Sequence, residues 1–286
     1  MMSWTGLRLR NGLAGVLLTF LAVNAAAAAD TTLLPFRTYT YKQAGTRALQ
    51  LEVFTPSFPR GSGGYPVIIL FHGGGWVGGK RQSMEQECRY FAGRGMVAVT
   101  ASYRFMDRKA QGIAGTKEIC LRDAKSAIRW VRSHAAMLGI DTAKVVLGGG
   151  SAGGHLATMA ALDRRVNDPQ DDTTISTRAL ALVLYNPAYS PGEDPALQPF
   201  DKLSRQTPPA ILFYGDGDTK WGPPGEQFYG ELKKRQVTTE LWIAPEQKHG
   251  FYNKPEWSLA TCIKADAFLV RLGILPPVPS LLRRYP

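Results

Sequence analysis

A serine lies in a pattern typical of the sharp turn that joins a buried strand to a helix. Ser151 is the middle residue of a G-x-S-x-G pattern at 149–153, directly after the apolar run 145–147. The glycines lack the Cβ atoms that would clash in such a turn. The helix that follows directs its first amides at the serine, which favours a developing negative charge. The pattern therefore predicts a nucleophilic serine.

The same glycines also fit a dinucleotide-binding pattern, G-x-G-x-x-G, at 148–153. A dinucleotide fold places it in the first strand–helix unit, with an acid at the end of the next strand, about 20 residues later. Here the motif lies in mid-chain, and the acids in that window, Asp168, Asp171 and Asp172, lie in a polar segment. The context favours the nucleophile, and we expect neither a metal nor an organic cofactor.

A second glycine-rich segment, HGGGW at 72–76, follows the apolar run 67–71. Its three glycines let the backbone pass close to a ligand and turn its amides inward, as an oxyanion hole requires. Alone, such a segment could merely turn a corner. Together with a nucleophilic serine it predicts an oxyanion loop, and we expect His72 to shape that loop by hydrogen bonding.

A nucleophilic serine needs a base, and the other three of the four histidines are the candidates. His134 falls on the polar side of a predicted helix, and His155 lies in the helix after Ser151, directed away from its attacking face. His249 follows the strand predicted at 239–244 and lies on a loop at its carboxyl end. Elimination leaves His249 as the base.

The base in turn needs an orienting carboxylate. Asp216 and Asp218 follow the buried run 210–213, and Glu246 is a third option. Asp218 is preferred because it lies further out on its loop, towards the histidine that follows. The chain order is then serine, aspartate, histidine, which is the order of α/β-hydrolases.

Alternating strands and helices must position these residues. Alternating polar and apolar residues in 36–54, interrupted at Gly45, predict two antiparallel strands. Short continuous apolar runs predict buried parallel strands, and right-handed crossovers place helices on both faces of the sheet. We predict an α/β fold with parallel strands at 67–71, 97–101, 145–147, 179–184 and 210–213.

The clearest predicted helix is 119–138, with apolar residues on one side and Arg122, Lys125, Arg129 and Arg132 on the other. Shorter helices are predicted at 82–92, 152–162, 225–234 and 257–272. Only 187–208 separates one buried strand from the next helix–strand unit, so we expect a small lid, with Trp76 and Trp221 at the rim of an open site.

Residues 1–29 read as a signal peptide, with Arg8 and Arg10 before a short apolar stretch and an alanine-rich exit. We expect export to the periplasm or beyond, no stable membrane insertion, and one catalytic domain at 30–286. In such a compartment one disulfide and one free thiol are the simplest outcome, with Cys88 and Cys120 preferred over pairs that include Cys262.

The composition is 44% apolar and 20% charged, which excludes disordered and collagen-like chains. The formal net charge of +11 makes a polyanionic partner worth testing. However, the basic residues are scattered along the chain and form no stripe, so no nucleic-acid partner is expected.

HGGGW, GGSAGGHLA, the G-D-x-D segment and HGF together resemble the hormone-sensitive-lipase-like branch of the α/β-hydrolases, and more closely its exported bacterial carbohydrate esterases. The resemblance implies Ser151 as nucleophile, His249 as general base and acid, and Asp218 as orienting acid. It also implies that Gly74, Gly75 and Ala152 donate the oxyanion-hole amides. The chain departs from that branch after Tyr103-Arg104, where Phe-Met-Asp replaces Leu-Ala-Pro.

We therefore expect a serine esterase acting on a small-molecule or carbohydrate ester with a short acyl group. A serine peptidase of the prolyl-oligopeptidase type shares the elbow followed by Gly154, but the chain has no room for a propeller. A non-catalytic binding protein on the same scaffold is expected to have lost a triad member, whereas all three candidates are present.

Overall fold

The computed structural model describes residues 35–57, 63–105, 108–190 and 195–277; at 108–111, 113 and 195 it describes the backbone alone. The predicted signal peptide lies outside the described residues. Within them, no helix is long and apolar enough to cross a bilayer.

The core of the described structure is an eight-stranded sheet in the order β1-β2-β4-β3-β5-β6-β7-β8. β1, β2 and β4 pair antiparallel, and all other neighbours pair parallel. This confirms the predicted fold class. The strands are β1 (Phe36–Ala44), β2 (Arg47–Phe54), β3 (Tyr65–Phe71), β4 (Val97–Ala101), β5 (Ile140–Gly150), β6 (Ala181–Tyr185), β7 (Ala210–Gly215) and β8 (Thr239–Ala244).

The central parallel strands are apolar because helices cover both of their faces. Every residue of β4, β6 and β7 is buried. Because parallel strands end at the same edge of a sheet, the segments after β3, β5, β6, β7 and β8 meet there. These segments begin with or contain His72, Ser151, Asn186, Asp218 and His249.

Six α-helices cover the sheet in the described residues. The helices α2, α4 and α5 bury one face, while α1 and α6 bury the other. The helices are α1 (Glu85–Gly93), α2 (Arg108–Ser133, interrupted at Gly112), α3 (Ala135–Leu138), α4 (Ala152–Leu162), α5 (Gly222–Lys234) and α6 (Pro255–Arg271).

The predicted helix 119–138 differs from the structure at both ends and in its polar face. The helix α2 begins 11 residues earlier and ends at Ser133. Lys125 and Arg129, expected on the solvated side, are buried. The chain after α4 folds over them, so that Lys125 Nζ donates to the carbonyl of Val166 at 2.7 Å and Arg129 pairs with Asp171 at 2.6 Å.

The preferred disulfide between Cys88 and Cys120 is absent. All three cysteines are free and buried. Cys88 and Cys262 lie in the core on one face of the sheet, whereas Cys120 lies on the other. The sheet itself separates the two sulfur atoms of the predicted pair, which residue numbers could not indicate.

Candidate active site

Ser151 occupies a strained turn between β5 and α4. Its φ of 51° and ψ of −116° lie outside the regions that side-chain-bearing residues prefer. Two of its backbone hydrogen bonds tie it to the end of β6 and the segment that follows: its amide donates to the carbonyl of Tyr185 at 2.8 Å, and its carbonyl accepts from the amide of Ala188 at 3.0 Å. The end of β6 therefore maintains the strained serine conformation.

The glycines of the turn are required by close contacts. A Cβ at Gly150 would lie 1.8 Å from the Tyr252 hydroxyl, and one at Gly153 would lie 1.9 Å from the carbonyl oxygen of Phe71. Both distances are far below van der Waals contact, and the second neighbour is backbone that cannot rotate away. Glycine at 153 lets the turn pack against β3, and glycine at 150 leaves room for the Tyr252 side chain.

The structure brings Ser151, His249 and Asp218 into one hydrogen-bonded chain. Ser151 Oγ lies 2.8 Å from His249 Nε2, and His249 Nδ1 lies 2.6 Å from Asp218 Oδ2. The carboxylate is buried, whereas the imidazole is 32% exposed. A carboxylate can only accept, so Nδ1 carries the proton and Nε2 is free to accept the serine proton.

The other two acids considered from the sequence do not reach His249. Asp216 and Glu246 are both exposed, and no hydrogen bond joins either carboxylate to that histidine. Asp218 instead accepts from two further groups. Trp221 donates its backbone amide to Oδ1 at 3.2 Å, and the Asn186 side chain donates to Oδ2 at 3.2 Å.

Sequence reasoning did not identify Asn186 as part of this site. It directly follows β6 and is fully buried, although it is polar. The sequence did contain a signal for Asn186. It is a polar residue at the end of a buried strand, and the loops after the two neighbouring strands carry the serine and the aspartate.

The glycine loop after β3 lies beside the serine. A Cβ at Gly73 would lie 3.3 Å from Ser151 Cβ. Gly74 and Gly75 have φ values of 129° and 61°, and the carbonyl of Gly74 accepts from the amide of Gly78 at 3.1 Å. Among the hydrogen bonds of the described residues, none uses the amides of Gly74, Gly75 or Ala152, so these three donors are available for a ligand.

His72 supports the loop from behind, as the sequence predicts. Its Nδ1–H donates to the carbonyl of Gly73 at 2.7 Å, and its ring stacks on Tyr103 with centroids 4.2 Å apart. The Tyr103 hydroxyl donates to the carbonyl of His72 at 2.7 Å. Burial lowers the pKa of His72 to about 4, so the ring is neutral at physiological pH.

The two remaining histidines lie away from the serine hydroxyl. His155 is buried in α4, where its Nε2–H donates to the carbonyl of Leu197 at 2.9 Å and burial lowers its pKa to about 3. His134 stacks on Trp130 with ring centroids 4.0 Å apart.

Of the two tryptophans expected at the rim, only one is placed there. Trp76 is buried, with its ring edge-on to His155 at 5.3 Å between centroids. Trp221 is half-buried, and its ring centroid lies 6.2 Å from that of His249. Trp76 is buried because α2 and α4 enclose the side chain that the sequence places beside the glycine loop.

The segment predicted to form a small lid contains two short 3₁₀ turns, Pro195–Leu197 and Phe200–Lys202, in its described part. Residues 191–194 lie outside the description. Gln198 follows the first turn, and its side chain donates to the carbonyl of Ser190.

Comparisons with known proteins find esterases among the similar sequences and structures. The BD-FAE family model matches residues 51–187. Esterase LipI of Mycobacterium tuberculosis is 34% identical over 97 residues, and carboxylesterase NlhH of the same organism is 33% identical over 127 residues. These alignments cover 34% and 44% of this chain, and 28% and 37% of the two relatives, respectively. The chain thus matches less than half the length of these curated relatives.

Solved structures match over a much larger share. Thermogutta terrifontis esterase 2, solved in a form phosphorylated by paraoxon, is 35% identical with a TM-score of 0.77; the match covers 86% of this chain and 97% of that one. Its propionate-bound form is 34% identical with a TM-score of 0.78, over 86% and 98% of the two chains. With this fold, this identity and this coverage, the chain belongs to the hormone-sensitive-lipase-like family of α/β-hydrolases.

Proposed function

We propose that the protein is a serine esterase that hydrolyses carboxylic esters through an acyl-serine intermediate. The observation that carries the proposal is the chain from Ser151 Oγ through His249 to Asp218, with its hydrogen bonds of 2.8 and 2.6 Å. A serine is a weak nucleophile until an adjacent base takes its proton, and an imidazole held by a carboxylate is such a base.

In this mechanism Ser151 Oγ attacks the ester carbonyl carbon while His249 Nε2 takes the hydroxyl proton. The amides of Gly74, Gly75 and Ala152 then donate to the oxyanion, and their fixed positions mean that they need not reorient as charge develops. The protonated imidazole gives its proton to the departing alcohol oxygen. Water repeats the sequence on the acyl-serine, releasing the acid and regenerating the hydroxyl.

We propose short acyl groups, from acetyl to butyryl, on a bulky alcohol such as a sugar in an acetylated polysaccharide. Two observations support this choice. The related esterase 2 of T. terrifontis has been solved with propionate and with butyrate bound. In this chain the half-buried Trp221 ring lies beside His249, at the position where the alcohol part of an ester would leave.

We also propose that the enzyme is exported, with 1–29 as the signal peptide and 30–286 as one catalytic domain. Removal of 1–29 takes away Arg8 and Arg10 and leaves a formal net charge of +9. Such a charge favours loose attraction to anionic envelope or polysaccharide surfaces.

The test is hydrolysis of chromogenic acetyl, butyryl and octanoyl esters by the wild type and by Ser151→Ala. We expect the substitution to lower the rate at least about a thousandfold, as removal of a triad member does. The exposed Ser133 provides the matched control, Ser133→Ala, which should be as active as the wild type. Undiminished activity of Ser151→Ala would refute the mechanism, and faster turnover of octanoyl than of acetyl esters would refute the acyl preference.

A further inference from the structure

We propose that Asn186 is a positioning residue of the triad, which fixes the oxygen of Asp218 that accepts the hydrogen bond from His249 Nδ1. The inference rests on the proposed function, because it assigns a task within the same reaction. Asn186 does not touch the reacting atoms. It acts through the carboxylate.

The backbone of Asn186 places its side chain against Asp218. The residue follows β6 with a φ of 44°, a left-handed conformation that asparagine tolerates better than most residues other than glycine. Its amide donates to the carbonyl of Phe213 at 2.8 Å, which ties the end of β6 to β7. Glycine could adopt this backbone without strain, so the conformation alone does not require asparagine.

The hydrogen bonds of Asp218 show what the amide side chain adds. Oδ2 accepts from His249 Nδ1 at 2.6 Å and from Asn186 Nδ2 at 3.2 Å. Among the described residues, the one donor to Oδ1 is the backbone amide of Trp221, at 3.2 Å. Without Asn186, the rotation of the carboxylate is held by Trp221 and by the histidine alone. The histidine gains and loses a proton in each turnover, so its own bond to Oδ2 changes during the reaction.

The orientation of the amide is costly, which argues against mere packing. Asn186 Oδ1 is buried and has no hydrogen-bond partner in the described structure. A buried carbonyl oxygen without a partner is destabilising. The amide keeps its NH₂ end towards Asp218 because the reverse orientation would set its oxygen against a carboxylate, which is acceptor-only.

Donation by Asn186 has two consequences for the reaction. It holds Oδ2 in line with His249 Nδ1, which keeps Nε2 directed at Ser151. It also draws negative charge from the same oxygen, so the carboxylate stabilises the protonated imidazole less strongly. Loss of the amide should therefore lower kcat and move the acid limb of the pH profile to higher pH.

Two substitutions separate the side chain from the backbone. Asn186→Gly keeps the left-handed conformation and removes the donor, while Asn186→Asp keeps the shape and places a second carboxylate against Asp218. The control is Gln236→Gly, because Gln236 also has a positive φ, of 60°, but is exposed and lies between α5 and β8 at the opposite edge of the sheet.

The measurements are kcat, KM and the pH dependence of kcat/KM with a chromogenic acetyl ester, with thermal unfolding of each variant. For Asn186→Gly we expect kcat to fall at least about tenfold with KM nearly unchanged, and the acid limb to rise by about half a pH unit. For Asn186→Asp we expect a loss of about a hundredfold or more at pH 8, where like charges face each other. Gln236→Gly should match the wild type in kcat, in KM and in the pH dependence of kcat/KM.

An Asn186→Gly variant with wild-type kcat and an unmoved acid limb would overturn the inference. A fall in kcat with an unmoved acid limb would also overturn the inference, because the loss of packing alone can lower kcat without shifting the pH profile. If Asn186→Gly does not fold, Asn186→Asp is the test. Wild-type kinetics in Asn186→Asp would then overturn the inference. The proposed function fails separately, through an active Ser151→Ala variant.

Discussion

A buried glutamate should make the stability of this protein fall as pH rises through neutrality. Glu87 of α1 is 1% exposed and lies against α6, where Ser258 Oγ donates to its Oε1 at 2.7 Å. Its Oε2 is buried and has no partner in the described structure. Burial raises the pKa of Glu87 from 4.5 to about 7, which the hydrogen bond from Ser258 only partly opposes.

The sign and size of the effect follow from linkage. A folded-state pKa above the unfolded one means that the native state holds the proton more tightly. The contribution to the free energy of unfolding is therefore complete below about pH 4.5 and is lost as pH rises to 7 and above. A shift of about 2.5 units corresponds to roughly 3 kcal/mol, since each unit is about 1.4 kcal/mol.

The perturbation is Glu87→Gln, which is neutral at every pH and can still accept from Ser258. The assay is urea unfolding of both proteins at pH 5 and pH 8. On going from pH 5 to pH 8, the wild type should lose about 2 to 3 kcal/mol relative to the variant. Comparing the two proteins cancels the opposite contributions of other groups, such as the neutral buried His72 and His155, which lower stability in acid.

A matched control is available on the same helix. Glu85 pairs with Arg89 at 2.6 Å and is only half-buried. Glu85→Gln should keep the pH dependence of the wild type. The reasoning is wrong if Glu87→Gln keeps that dependence as well.

Two further substitutions test the geometry of the turn and of the triad. Asp218→Asn leaves the shape of the site but lets an amide face His249 Nδ1, so kcat should fall by about 10⁴, as measured with a chromogenic acetyl ester; a loss below tenfold would contradict the orienting role. Gly153→Ala places a methyl group 1.9 Å from the Phe71 carbonyl oxygen and should lower the urea midpoint strongly. The control is Gly230→Ala in α5, where a Cβ would meet nothing within 4 Å. That variant should raise the free energy of unfolding by about 0.5 to 1 kcal/mol, because alanine favours a helix more than glycine does. Equal midpoints for the two alanine variants would show that the turn can relax.

The sheet could be predicted because its signals are local. Each central strand is a short apolar run, and the sequence predicts 97–101 as it stands in the structure. The structure also brings together the serine, histidine and aspartate that the sequence predicts. The G-x-S-x-G turn indicated the first, elimination among the histidines the second, and the position on the loop after β7 the third. The loops that carry them follow strands whose ends a parallel sheet brings together.

The burial of charged side chains could not be predicted from the sequence, because it depends on segments that are distant in the chain. Lys125 and Arg129 look solvated on a helical wheel, yet the chain after α4 supplies the carbonyl of Val166 and the carboxylate of Asp171. Trp76 was expected at the rim of the site because it directly follows the glycine segment in the sequence. That prediction was wrong, because helices from other parts of the chain enclose the ring.

Asn186 shows how such a residue can be found before a structure exists. In the order β5-β6-β7-β8, β6 lies between the strand that leads to Ser151 and the strand that leads to Asp218. A polar side chain directly after β6 therefore emerges beside the triad. In this chain that side chain is fully buried, so an amide without a partner would be costly there. In this structure its NH₂ group donates to the carboxylate of Asp218. The residue after the strand that lies between the serine strand and the aspartate strand, here β6, is thus the place to look for the group that holds the triad acid.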